Sequence, residues 1–151
     1  MRRTLLVLLL TLAGSALPQD ARVAGAPPDN RQLIPLDESE RNFILHEMRG
    51  MLAATQAILD AALAEDRPRL AAAARAAGVG PQGAAEHIPP GLRQKLPESF
   101  RKLGIGTHQA FDAIAADAEA GVPSEALLKK LSGTLQRCVS CHAAYGLRMQ
   151  P

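Results

Sequence analysis

The chain has 151 residues, a formal net charge of +2 and two cysteines, and these values exclude several classes of protein. Two of the 17 basic residues, Arg2 and Arg3, lie in the N-terminal segment. The rest of the chain has 15 basic and 15 acidic residues, so its formal net charge is zero. A neutral chain lacks the positive charge by which proteins bind nucleic acid. With no Trp, one Tyr and three Phe, the chain must build its core mostly from alanine and aliphatic side chains.

The first 16 residues, MRRTLLVLLLTLAGSA, have the basic start, apolar centre and small-residue end of a secretory signal peptide. The apolar run, Leu5 to Leu12, is well short of the ~20 residues that a spanning helix needs. This length favours a cleaved signal at 1–16 over an uncleaved anchor, and it predicts a periplasmic protein with no membrane span after cleavage. The remaining chain of about 135 residues suits one domain.

Residues 17–35 are rich in Pro and Gly without a sustained period, which predicts a flexible leader before a folded domain at 36–151. Asp37 or Ser39 can cap a first helix that runs to about Ala64. Its apolar residues fall within one sector, as expected for a helix that faces a core. They are Ile44, Met48, Met51, Thr55, Ile58, Leu59 and Ala62.

Asp66 begins a second predicted helix, with Pro68 in its first turn, that ends near Gly78. A Pro- and Gly-rich connection follows over 78–97, with one short helical turn over 92–96. The third helix begins near Pro97 or after Gly106 and ends at Gly121. One face carries Phe100, Leu103, Thr107, Phe111, Ile114 and Ala118.

Ser124, after Pro123, is the predicted cap of a fourth helix that reaches about Gly146. Its apolar side includes Leu127, Leu131, Thr134, Cys138, Cys141, His142 and Tyr145. No segment shows a strand pattern. Four helices without strands predict an all-α fold, an antiparallel four-helix bundle.

Cys138, Cys141 and His142 form the segment C-V-S-C-H, which is the attachment signature of c-type haem. The two thiols would form thioethers with one haem c, and His142 would be the proximal axial ligand of its iron. The alternatives are a redox dithiol, a local disulfide or half of a zinc site. A redox pair should follow a strand, and a zinc site needs two further ligands, neither of which the sequence indicates. The motif therefore predicts a haem packed inside the bundle.

On the other side of the iron, a ligand must come from upstream in the chain or be absent. Met149 lies only seven residues after His142, too near to reach around the porphyrin. His46 points away from the apolar stripe of its helix, and His87 lies in the Pro-rich connection. His108, at the edge of the apolar face of the third helix, is the best histidine candidate.

Two methionines, Met48 and Met51, lie on the core stripe of the first helix. A methionine on such a stripe usually fills a gap in the core. Facing a haem, one of them could instead bind iron through its thioether. The sequence pattern alone does not choose between them.

The C-terminal segment RCVSCHAAY and the first-helix segment FILHEMR together resemble the class II cytochromes c, which include cytochrome c-prime and its low-spin relatives. The resemblance implies a four-helix bundle, covalent haem, and Met48 rather than Met51 as the distal ligand. Ile44 stands where the family usually has arginine, unless Arg41 takes that role. The family also includes homodimers, so the resemblance leaves a homodimer open.

Three functions compete on this basis. The first is a periplasmic monohaem electron carrier with His142 and Met48 as axial ligands and with redox proteins as its partners. The second is a five-coordinate protein that binds or senses NO or CO, in which Met48 only lines the distal pocket. The third, an enzyme such as a peroxidase, ranks last because no distal acid-base pair has a clear position. The chain is therefore not expected to be an enzyme.

Overall fold

The computed structural model describes residues 28–79 and 88–150. The predicted signal peptide at 1–16 and His87 lie outside these ranges. No helix within them is long and apolar enough to cross a membrane.

The described chain is mostly helical, as predicted, with five helices and two short strands. The short turn expected over 92–96 is a helix of its own. The elements in chain order are β1 (Gln32–Leu36), α1 (Glu38–Leu63), α2 (Arg67–Ala76), α3 (Leu92–Lys95), α4 (Glu98–Glu119), α5 (Ser124–Ala144) and β2 (Tyr145–Met149).

The prediction that the chain has no strands was wrong. β1 pairs in parallel with β2, from Gln32 opposite Tyr145 to Leu36 opposite Met149. β1 lies in the predicted leader, so residues 32–35 belong to the fold. Pro35 is tolerated in a two-stranded sheet because every strand there has a free edge, where a missing N–H breaks no pairing.

Side-chain caps explain where the first two helices begin. The Asp37 carboxylate accepts a hydrogen bond of 2.9 Å from the Glu40 N–H, and the Glu40 carboxylate accepts one of 2.9 Å from the Asp37 N–H. The bond from Glu40 N–H also lowers the pKa of Asp37. Asp66 caps α2 through the Arg69 N–H. At α5 the cap position belongs to Pro123 rather than the predicted Ser124, and its side chain makes no cap hydrogen bond.

The core consists of two separate apolar clusters. The main cluster lies among α1, α2, α4 and α5, and Ile58, Leu70, Phe111 and Leu127 are among its fully buried members. The second, which we call the sheet-side cluster, joins β1 to α3, to the second turn of α1 and to the first turn of α4. It consists of Ile34, Leu36, Ile44, Leu92 and Phe100.

The four longer helices do not close evenly around the core. The close pairings are α1 with α2, α2 with α4, and α4 with α5, whereas α1 and α5 touch at few points. The bundle is therefore least closed on the side between α1 and α5. α5 carries the cysteine motif, and α1 carries both methionine candidates.

Glu40→Ala should lower the free energy of unfolding by about 2 kcal/mol, because it removes a buried acceptor from two donors. The Glu40 side chain is only 3% exposed and lies 2.7 Å from Lys95 Nζ, in addition to its bond with the Asp37 N–H. Urea unfolding followed by circular dichroism measures the loss. Glu38→Ala, an exposed acid in the same first turn, is the control with a smaller effect. Equal losses in the two variants would contradict the role of the buried carboxylate.

Candidate functional site

The motif cysteines lie on the same side of α5 as its buried residues. Leu127, Leu131 and Thr134 are buried, and helical spacing places Cys138 and Cys141 in line with them. Both thiols are nevertheless only half-buried, and His142 is exposed. The two cysteines therefore lie on the core side of α5, as predicted for the motif. His142 was predicted to lie on the same side, but it is exposed.

The loss of burial along α5 coincides with the poorly closed side of the bundle. α1 and α5 touch at few points, and every residue of α5 after Thr134 is half-buried or exposed. Large apolar side chains are exposed on both helices. Val139, within the motif, is 61% exposed, and Leu52, one turn after Met48 on the same side of α1, is 70% exposed. The arrangement combines two half-buried thiols, an exposed imidazole and exposed apolar side chains, which are groups that could hold a cofactor.

The two candidate methionines belong to different clusters. Met48 packs against the sheet-side cluster, as do Cys141 and Tyr145. Met51 packs against the main cluster. The structure thus brings Met48, and not Met51, to the cluster that also receives a motif cysteine.

The other residues considered as distal ligands either make hydrogen bonds of their own or lie elsewhere in the fold. His108 Nδ1 lies 2.7 Å from the carbonyl oxygen of Ala77 and donates to it, and its Nε2 lies 4.0 Å from a Glu47 carboxylate oxygen. His46 is exposed, as its position on the helical wheel predicted. Met149 is the last residue of β2 and pairs with Leu36.

Contacts around Tyr145 hold the C-terminal end of the motif. The sequence predicted that Tyr145 lies on the apolar side of its helix, but not these contacts. Phe100 meets the Tyr145 ring edge-on, with ring centroids 5.4 Å apart and an interplanar angle of 89°. The Tyr145 hydroxyl is also hydrogen-bonded to Ser99. β2 then pairs with β1. Ile34 and Leu36 alternate in burial, but the sequence Gln-Leu-Ile-Pro-Leu does not alternate in polarity and gave no signal for this pairing.

Burial raises the pKa of Cys138 and of Cys141, and for Cys141 the charge of Cys138 raises it further. The protonated thiol is therefore the main form of both residues at neutral pH in the chain without haem. A catalytic dithiol needs a lowered pKa, since the thiolate is the nucleophile. The electrostatics thus disfavour the redox-dithiol alternative.

Iodoacetamide should alkylate the haem-free folded chain more slowly at pH 7.5 than the same chain in urea, because the raised pKa values reduce the thiolate fraction. The rate should increase as the pH rises above 9. Mass spectrometry over time measures both. Single variants Cys138→Ser and Cys141→Ser assign the rate to each thiol. Faster alkylation in the folded chain would indicate activated thiolates.

No group of three or more His, Cys, Asp or Glu that could hold a metal ion exists within 28–79 and 88–150. Cys138 and Cys141 are both free thiols, so no local disulfide joins them. Comparisons with protein-family models, with curated proteins and with solved structures find no match to this chain. Residue chemistry and geometry are therefore the basis for assigning a function.

Proposed function

We propose that the protein is a c-type cytochrome of the class II kind that carries electrons in the periplasm. One haem c would be attached through Cys138 and Cys141, with His142 as the proximal ligand. The observation that carries the proposal is the position of the motif. Its thiols continue the buried stripe of α5 at the place where the bundle leaves that stripe uncovered. A flat apolar cofactor would complete the core there, as in a four-helix bundle with an internal haem.

A bound haem would supply an iron that takes up and releases one electron. The protein's own residues would hold and orient it. The thioethers of Cys138 and Cys141 would fix the porphyrin edge to α5, and His142 would approach the iron from the next position along the helix. The rigid end formed by Tyr145, Phe100 and β2 would limit movement of the last turn of α5.

Met48 is our candidate for the distal ligand. It shares the sheet-side cluster with Cys141, whereas Met51 and His108 make contacts elsewhere. A thioether opposite a histidine raises the reduction potential and suits electron transfer. Redox proteins would meet the haem edge through small, transient contacts.

The first experiment asks whether haem is covalently attached. The full-length chain is produced in a bacterium that matures c-type cytochromes, and the purified protein is denatured and analysed by intact mass and absorption. We expect the mass of the processed chain plus one haem. Cys138→Ala/Cys141→Ala should lose this mass, and Ser140→Ala, an exposed residue between the two thiols, should keep it. Two alkylatable cysteines in the denatured wild-type chain would contradict the proposal.

A five-coordinate protein that binds NO or CO is the second candidate, because Met48 packs in an apolar cluster as an ordinary core methionine does. In that case Met48 would only line the distal side of the haem. CO binding to the ferrous protein separates the two. Rapid binding to high-spin iron supports a gas-binding function, and a low-spin ferrous spectrum that CO changes slowly supports electron transfer.

A further inference from the structure

Charge is unevenly distributed along this chain. Residues 126–151, which include most of α5 and all of β2, contain four Lys and Arg residues and no acidic residue, a formal charge of +4. Residues 17–125 contain 11 basic and 15 acidic residues, a formal charge of −4. The positive segment is the one that carries the cysteine motif.

Carboxylates of the neighbouring helix do not neutralise this positive charge. α4 packs closely against α5, and each of its four acids already has a partner within the described part of the chain. Glu98 pairs with Lys102, Asp112 accepts a hydrogen bond from the Val79 N–H, Asp117 pairs with Lys130, and Glu119 pairs with Arg75. Among residues 28–79 and 88–150, Lys129, Arg137 and Arg148 have no ion-pair partner.

These three basic residues lie on the exposed surface around the motif. Lys129 and Arg137 are both exposed on α5, and the rise of a helix places them about 12 Å apart along its axis. Arg148 lies on β2 next to Leu147, which packs on the sheet-side cluster, so strand alternation directs Arg148 outward. Val139, 61% exposed, follows Arg137 by two residues. We call these four residues the C-terminal basic surface.

Arg137 is held beside the motif by a close contact with α4. A Cβ added to Gly106 would lie 2.6 Å from Arg137 Nη1, so the guanidinium group rests against the bare backbone of that helix. A glycine inside a helix costs about 1 kcal/mol relative to alanine. The contact gives Gly106 a packing role that offsets this cost. It also keeps a positive charge next to Cys138, the residue that follows Arg137.

We propose that the C-terminal basic surface docks an acidic patch on a redox partner protein. The inference rests on the proposed function, because such a partner must approach the porphyrin edge that Cys138 and Cys141 would hold. A few charges around one exposed apolar side chain suit a short-lived encounter, in which electrostatic attraction raises the association rate. An anionic membrane fits less well, since membrane-binding segments cluster about four to eight basic residues, more than are unpaired on this surface.

Two small oxidants of opposite charge test the field at this surface. Hexacyanoferrate(III) and tris(phenanthroline)cobalt(III) each take one electron from the ferrous protein, and stopped-flow absorption measures both rates on the purified holoprotein. Arg137→Gln/Arg148→Gln should slow oxidation by the anionic hexacyanoferrate about fivefold at low salt, because it removes the attraction. Oxidation by the cationic cobalt complex should not slow.

Arg67→Gln/Arg69→Gln is the matched control, with the same change in net charge. Both arginines are exposed on α2, and Arg67 lies beside Gly121, just before the first residue of α5 and far from the motif at its other end. Both oxidation rates should match those of the wild type. Circular dichroism checks that every variant is folded.

A fluorescent poly-L-glutamate peptide tests docking of an acidic polypeptide. In anisotropy titrations at low salt, Arg137→Gln/Arg148→Gln should weaken its binding about fivefold, and the α2 control should not. Binding should disappear at about 1 M salt, where charges are screened within ~3 Å. Sedimentation with phosphatidylglycerol vesicles tests the membrane, and we expect the wild type to stay in solution.

The proposal is overturned if the two double variants slow hexacyanoferrate equally, since only net charge would then matter. Unchanged peptide binding in Arg137→Gln/Arg148→Gln would also overturn it. Sedimentation of the wild type with vesicles, lost in that variant, would assign the surface to a membrane instead. The covalent-haem mass is measured first. A chain without haem refutes the cytochrome assignment, whereas a haem-bearing chain whose oxidation ignores these charges refutes this inference alone.

Discussion

Under the proposed ligation of a haem iron by His142 and Met48, Met48→Ala should abolish the methionine–iron charge-transfer band of the ferric protein and convert the haem to a high-spin form. A histidine and a thioether together keep the iron low-spin and raise its reduction potential. Without the thioether the potential should fall by on the order of 0.1 V, a fraction of the ~0.8 V range over which axial ligands set haem potentials. Absorption spectra and a redox titration measure both changes. The ferrous variant should also bind CO rapidly.

Met51→Ala is the matched control. Met51 lies three residues further along α1 and packs against the main cluster, so its loss should reduce stability and leave the band unchanged. His108→Gln tests the remaining candidate, because the glutamine amide can still donate to the Ala77 carbonyl. If the band persists in Met48→Ala and disappears in either control, Met48 is not the ligand.

The helices could be predicted from the sequence because their signals are local. An apolar stripe of helical period marks α1, and Asp37 and Asp66 mark the first residues of α1 and α2 through side-chain caps. The Pro- and Gly-rich connection limits the region before α4, and among its described residues, 78–79 and 88–97, only Leu92–Lys95 is helical. In each case the residues that determine the element lie within it or next to it.

The sheet could not be predicted in the same way because it depends on contacts between distant parts of the chain. Gln32 and Tyr145 are paired across almost the whole domain. Each strand has only five residues, β1 contains a proline, and β2 follows α5 without a turn signal. Local propensity carries little weight in such segments, where packing and burial decide whether a strand forms.

The environment of the candidate site was also only partly predictable. Helical periodicity places Met48 and Met51 on one stripe, and it gives no measure of how closely α5 approaches that stripe. Met48 and Met51 differ in their surroundings because the sheet and α3 create a second cluster at the start of α1. Met48 reaches this cluster and Met51 does not. The exposure of His142 likewise follows from the sparse contact between α1 and α5, not from its position on the helix.

Leu36→Ala should affect both stability and the haem site, because Leu36 links the two. Its side chain is fully buried in the sheet-side cluster, on which Met48 and Cys141 also pack. β1 leads into α1, and its partner β2 follows the motif helix, so the sheet joins the chain segments that carry both proposed iron ligands. We expect a loss of about 2–5 kcal/mol in the free energy of unfolding. We also expect the methionine–iron band to weaken and to disappear at a lower temperature than in the wild type.

Leu70→Ala separates these two effects. Leu70 is equally buried, 1% exposed, but belongs to the main cluster and lies on α2. The same substitution there should cost a similar free energy and leave the band intact until the whole chain unfolds. Urea unfolding by circular dichroism and thermal melts followed at the band measure stability and ligation separately. If both variants lose the band only with global unfolding, the sheet stabilises the fold without positioning Met48. Early loss in Leu36→Ala alone would show that the sheet holds α1 and α5 at the spacing that ligation requires.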